Sequence, residues 1–207
     1  MKLFFHYCSY GFSNCYILGE ENADVSRQNS AFIVDPGSME NITLETIENN
    51  NFDLKAVLVT HDHLNHVQGL RTLKRIYNAE IFAVNQSIMD HRTNMVKDGD
   101  KFNIAGFKVE VISIPGHSSD SVVYKIDNFI FTGDVLTAGL VGSTASAYGA
   151  ATQMNKLRSR LLSLPGDYVV LPGHGPPSTL EAERRFNTDI FYYDQRRSKR
   201  RVFRMDF

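Results

Sequence analysis

THDHLNHVQG, residues 60–69, follows the apolar run KAVLV and places His61, His63 and His66 within six residues. Neutral imidazole nitrogens bind zinc or iron at about 2.0–2.1 Å. His61 and His63 are one residue apart, so both can reach one ion from a tight loop. His66 falls at a helix start, where it faces differently and suits a second ion. The fifth position of the hexad is Asn65, where a cation would be better served by a carboxylate. Whether the chain carries one metal, two or none depends on what surrounds this stretch.

Outward from it, short apolar segments alternate with helical patterns. KAVLVT reads as a strand buried on both faces, and HVQGLRTLKRIYN as a helix, with Val67, Leu70, Leu73 and Ile76 at near-helical spacing. Before it stand two strands, KLFFHY and NCYILGE, joined by a Gly/Ser turn, then the strand AFIVDPG and a helix over SMENITLETIENN. After it come the strand EIFAV, a hairpin in KFNIAGFKVEVISI turning at Gly106, and a hairpin of SVVYKI and FIFTG around Asp127-Asn128. QMNKLRSRLLSL is a helix and DYVVLPG a strand. STLEAERRFNTDI opens with Ser178 three residues before Glu181, as in a capping box. Two mixed β-sheets with helices outside, a four-layered αββα sandwich of the α/β class, satisfy this order. No linker or repeat divides the chain, so residues 1–207 are expected to form a single domain with a basic tail at 191–207.

Of the seven histidines, His117 and His174 also sit in tight turns after predicted strands, in VISIPGHSS and VVLPGHG, and Asp134 holds a matching place in FTGD. Strand ends are where sheet proteins gather chemistry, because loops there converge while the sheet holds them rigid. His6 and His91 stand alone and read as ordinary polar residues. A lone HxH would merit the same reading. HxHxxH with two separate Gly-His turns and a Thr-Gly-Asp does not. A carboxylate such as Asp134 can bridge two cations and offset their charge.

These residues resemble the metallo-β-lactamase superfamily and, within it, the glyoxalase II-like hydrolases. The resemblance runs through NCYIL at 14–18, IVDPG at 33–37, THDHLNH at 60–66, IPGHSSDS at 114–121, FTGD at 131–134 and LPGHGPPSTLEAE at 171–183. It implies that His61, His63 and His117 hold a first metal, that His66 and His174 hold a second, and that Asp134 bridges them. Asp35 is similar to a motif aspartate that buttresses the site from behind. The family holds a carboxylate where this chain has Asn65. An amide oxygen can still reach a metal but brings no charge, so one tight ion and a second, weaker one are expected. Adjacent Asp62 could substitute only through a shift of the loop.

Two further departures bear on substrate. Relatives carry an Arg and an Asp in the loop after FTGD, where GLVGSTASAYGAA at 139–151 has small residues, and only 33 residues follow His174. The larger helical region that grips glutathione in full glyoxalase II enzymes is therefore expected to be mostly missing.

The chain has 207 residues, 43% of them hydrophobic, which is ample for one core. A net charge of −1 points toward neither nucleic acid nor membrane, and no run approaches the length of a membrane span. The N-terminal MKLFFHYCSYGF does not read as a signal peptide, because His6 breaks its apolar run and no small-residue cleavage site follows. Cys8 and Cys15 are too few for a disulfide scaffold, and two reduced thiols in the cytoplasm are expected rather than a bond across a hairpin. Arg196, Arg197, Lys199, Arg200, Arg201 and Arg204 make the tail basic; a solvated end is expected, an anion- or RNA-binding patch being the alternative.

The function implied is a metal-dependent hydrolase with one or two divalent ions, zinc first and iron or manganese as alternatives. Hydroxide on the metal would attack the thioester, ester or lactone carbonyl of a small-molecule substrate. The rival readings are a mononuclear-iron persulfide dioxygenase-like oxidoreductase and a non-catalytic metal-binding scaffold. Residue patterns set no expectation for oligomeric state.

Overall fold

The computed structural model describes residues 1–21 and 27–193. Of the tail expected at 191–207, residues 194–207, which carry all of its basic side chains, lie outside them.

Three antiparallel strands, β1 (Lys2–Tyr7), β2 (Asn14–Gly19) and β3 (Asn29–Val34), open the first sheet. The chain crosses through α1 (Asn41–Asn49) to β4 (Phe52–Leu58), which runs parallel to β3. It crosses again through α2 (Leu64–Val67) and α3 (Leu70–Ile76) to β5 (Glu80–Ala83), parallel to β4. A small hairpin of β6 (Ser87–Ile88) and β7 (His91–Arg92) precedes β8 (Asn94–Met95), the far edge of that sheet.

The second sheet is an antiparallel meander of β9 (Lys101–Ile104), β10 (Phe107–Ser113), β11 (Val122–Ile126) and β12 (Phe129–Gly133). The short hairpin β13 (Leu136–Thr137) and β14 (Leu140–Val141) leads into α4 (Ala147–Lys156), which runs on into a π-helical turn, Leu157–Leu161. β15 (Val169–Pro172) returns parallel to β12, β16 (Ser178–Thr179) lines the edge, and α5 (Leu180–Phe186) follows.

Strand alternation explains the layers. Tyr16, Leu18, Phe32, Val34, Ala56 and Leu58 of the first sheet face Val109, Val111, Val122, Tyr124, Phe131 and Leu171 of the second. Their neighbours Ile17, Ile33 and Val57 face outward onto Ile47, Val67, Leu70 and Leu73 of the helices. On the other side, Ile112, Val123, Ile130 and Val170 meet Met154, Leu157, Leu161 and Leu180. Each such side chain contributes about 1.5–3 kcal/mol of burial. The expected αββα sandwich of two mixed sheets is the observed architecture.

Two buried tyrosines tie this core to the strand ends that matter. Tyr16 donates its hydroxyl hydrogen to the carbonyl of Pro172 at 2.7 Å, and Tyr124 donates to that of Val59 at 3.0 Å. The first acceptor lies two residues before His174 and the second two before His61.

Three local readings are corrected. The helix expected to run unbroken after His66 divides at Gly69, whose N–H turns aside to the carbonyl of Pro36 at 2.8 Å. The small-residue stretch expected to be a loop already contains the start of α4, because Ser146 caps it by accepting from Gly149 N at 3.0 Å. The cap of α5 is Thr179, accepting from Ala182 N at 3.1 Å, and not Ser178, whose hydroxyl donates instead to Glu183 at 2.7 Å.

Candidate metal centre

Asp35 follows β3, His61 and His63 follow β4, His117 follows β10, Asp134 follows β12 and His174 follows β15. All five strands point the same way, so their C-terminal ends share one edge of the sandwich. His66 joins from α2, the short helix entered directly from the loop of His61 and His63.

The side chains fall into two donor groups that share Asp134. One holds His61, His63, His117 and Asp134, the other His66, His174 and Asp134; within each, the donor atoms lie within 4.8 Å of one another. His63 Nδ1 is 3.0 Å from His61 Nε2 and 3.1 Å from His117 Nε2. Asp134 divides its two oxygens: Oδ1 lies 3.4 Å from His66 Nε2, and Oδ2 lies 3.5 Å from both His117 Nε2 and His174 Nε2.

The far nitrogen of four rings is engaged, and this sets the tautomers. His117 Nδ1 donates to the carbonyl of Ser143 at 2.8 Å and His174 Nδ1 to that of Phe12 at 2.9 Å. His66 Nδ1 donates to Asp35 Oδ2 at 3.0 Å. Asp35 Oδ2 also accepts from Thr60 Oγ1 at 2.6 Å, which leaves that hydroxyl oxygen to accept from His61 Nδ1 at 3.1 Å. His61, His117 and His174 therefore turn an Nε2 lone pair toward Asp134, as His66 does once its ring is neutral. Bare nitrogens held 3.0–3.1 Å apart repel one another unless a cation or proton lies between them.

Electrostatics agree. Burial, reinforced by His66, pushes His61 down to about 3, and burial with His117 lowers His63, so both are held as the neutral rings that ligation requires. Burial also pulls His66 down, but Asp134 and Asp35 outweigh it and lift the ring to about 10. Burial would raise Asp134, yet His66, His61 and His174 hold it well below the usual carboxylate range. Positive charge is thus favoured between His66 and Asp134. Among the described residues no hydrogen-bond partner is supplied there: His66 Nε2 and Asp134 Oδ1, 3.4 Å apart, are both buried and unpartnered. An orphaned buried polar atom costs about 1–3 kcal/mol, and a divalent cation would satisfy both. The residues fit a metal.

Asn65 is half-buried beside the second group, its Nδ2 2.9 Å from His174 Nε2. Because His174 Nε2 carries a lone pair, the amide is the donor of this bond. Asp62 turns away: its carboxylate accepts from Asn85 at 3.3 Å, its backbone N–H donates to Asp120 at 2.8 Å, and it joins neither donor group. The six expected donors and Asp35 converge. Residue patterns missed Thr60, which orders Asp35 and His61, and the carbonyls of Phe12 and Ser143, which orient two rings. Thr60 stood in the stretch first quoted, but nothing distinguished its hydroxyl; the carbonyls belong to the backbone and leave no mark in a sequence.

A family model described as metallo-beta-lactamase superfamily matches residues 9–174. The hydroxyacylglutathione hydrolase GloC of Haemophilus influenzae is 28% identical over 200 residues, covering 84% of this chain and 91% of that protein. Among solved structures, ETHE1 from Myxococcus xanthus superposes with a TM-score of 0.80 at 24% identity, covering 92% of this chain and 84% of the other. TTHA1623, solved in a di-iron-bound form, superposes with a TM-score of 0.72 at 24% identity, covering 90% and 99%.

Proposed function

Because the chain belongs to the metallo-beta-lactamase superfamily, we propose that it is a glyoxalase II-like metallohydrolase that cleaves the thioester, ester or lactone carbonyl of a small molecule. His61, His63 and His117 with Asp134 would hold one divalent cation; His66 and His174, sharing Asp134, would hold a second, with Asn65 at its margin. Zinc is the proposed metal, iron and manganese the alternatives. The observation that carries this reading is the buried, unpartnered pair His66 Nε2 and Asp134 Oδ1, within the second of two donor groups that share a carboxylate.

Bound ions would supply hydroxide at neutral pH, by lowering the pKa of water from about 15.7 to about 7, and would polarise the carbonyl. The protein's own work is positional. Asp134 belongs to both groups, with Oδ1 toward His66 and Oδ2 toward His117 and His174, which ties the spacing of the two groups to one side chain. Thr60, Asp35, Phe12 and Ser143 hold four of the rings so that Nε2 of each faces inward. The likeness to GloC supports a thioester among the three substrate classes. Among the described residues, no helix is long and apolar enough to cross a membrane. Cys8 and Cys15 are both free, in keeping with a cytoplasmic setting.

Elemental analysis of the purified protein, paired with thioester hydrolysis before and after chelation, tests the proposal. Zinc at one to two ions per chain with chelator-sensitive hydrolysis is the expected result. Iron, with oxygen uptake on a persulfide, would replace it with the oxidative alternative. Hydrolysis that survives complete removal of metal would end it.

A further inference from the structure

We propose that Gln153, on α4, is a positioning residue for His117 and Asp134, acting on the first donor group through the backbone. This inference rests on the metal-centre reading above.

Gln153 is fully buried. Its side-chain Nε2 donates to the carbonyl of Gly142 at 3.0 Å and to that of Val135 at 3.3 Å. Val135 is the residue after Asp134. Gly142 is the residue before Ser143, whose carbonyl receives His117 Nδ1 at 2.8 Å. A third segment meets the same side chain. Gly116, the residue before His117, lies at φ +148°, and a Cβ there would stand 2.4 Å from Gln153 Cβ and 2.7 Å from the carbonyl of Gly149. Gly116 therefore has no room for a side chain, and its backbone rests directly on Gln153. One side chain thus holds the segment before Ser143 and the residue after Asp134 by its amide, and packs by its Cβ against the residue before His117.

Helix anchoring alone does not account for this choice of residue. The neighbouring inward positions of the same helix and of the turn after it are the apolar Met154 and Leu157, and an apolar side chain would fill the space of Gln153 as well. The amide also comes with a cost: its Oε1 is buried and unpartnered. Reversing the amide would aim that oxygen at two carbonyl oxygens, so the donor role is set by its surroundings. A buried amide with an unsatisfied oxygen is kept for what its nitrogen holds. What it holds are the segments that aim His117 and Asp134.

The experiment uses the whole chain and Co²⁺ as the probe, competed against a chromophoric chelator. Gln153→Met keeps the length of the side chain and removes the donor. The tighter Co²⁺ ion should then bind about 10- to 100-fold more weakly, as when partners behind a metal ligand are lost. Its visible spectrum should shift, and the His117 Nδ1–H resonance of the metal-free protein should move. Met154→Ala, the adjacent buried residue, controls for destabilisation of α4 and should leave Co²⁺ affinity and spectrum unchanged. If Gln153→Met does not fold, Gln153→Asn, which withdraws the donor by one methylene, carries the same expectation. Wild-type affinity and spectrum in the folded variant, or equal weakening by Met154→Ala, would overturn the proposal. A wild-type protein that takes up no Co²⁺ would instead overturn the metal-centre reading beneath it.

Discussion

Replacing Asn65 with aspartate should tighten the second metal at least tenfold, and the reason can be worked from two interactions. In the metal-free protein the Asn65 amide donates to His174 Nε2 at 2.9 Å, so a ligand nitrogen of the second group is already occupied. A second ion must break that bond, at a net cost of about 0.5–1.5 kcal/mol. Aspartate has no N–H to donate, so this competition disappears. Aspartate also adds one negative charge beside a dication. Two unit charges about 4 Å apart attract by about 4 kcal/mol at an effective dielectric of about 20, before desolvation is subtracted. If desolvation of the half-buried carboxylate consumes most of that, a net gain of about 1.4 kcal/mol still means tenfold tighter binding. The change is nearly isosteric, which matters because Gly11 packs directly on Asn65 Cβ and a larger residue would disturb the loop that seats His174. The assay is metal content after timed dialysis against a chelator, read with thioester hydrolysis. Asn65→Asp should move toward two ions per chain with hydrolysis rising alongside, and His66→Ala in that background should remove the gain. If the wild-type protein already holds two ions that leave no faster than those of Asn65→Asp, both the competition and the charge argument are wrong.

Two other substitutions test how the site and fold are held. Asp35→Asn keeps the shape but must turn an NH₂ on a donor either way, on the Thr60 N–H or on Thr60 Oγ1–H and His66 Nδ1–H, and it removes the charge behind His66; second-site affinity should fall about 10- to 100-fold, measured by competition titration, while the first ion changes less. Thr179→Ala removes the cap of α5 and should lower the urea-unfolding free energy of the metal-free protein by about 0.5–2 kcal/mol.

The fold was legible because it is written in side-chain period. Strands such as NCYIL and KAVLV alternate or run apolar according to which faces they bury, and helices carry one apolar stripe; two sheets with helices outside bury all of it. The convergence of His61, His63, His66, His117, Asp134 and His174 was legible for a related reason. All but His66, which enters from α2, sit just beyond a strand end, and strands that run the same way bring those ends to one edge. Local chemistry at helix starts was less legible. Ser146 and Thr179 cap helices that the residue pattern started elsewhere, because any of several adjacent hydroxyls can cap and tertiary packing chooses among them.

Tertiary structure alone decided the rest. Asp62 and Asn65 are equally near the histidines in sequence, but a helical start at Leu64 brings Asn65 to His174, while Asp120 and Asn85 draw Asp62 away. The carbonyls of Phe12 and Ser143 orient two rings, and every residue owns a carbonyl, so no residue type could have announced them. Gln153 reads in the sequence as one polar residue on a helix. Only the close approach of Gly116 and of Val135 and Gly142, the two ends of one hairpin, turns its side chain into a brace. By itself the sequence determined which donors were present and that they would meet at one edge. Packing decided which way each faces, because direction depends on atoms that lie far away along the chain.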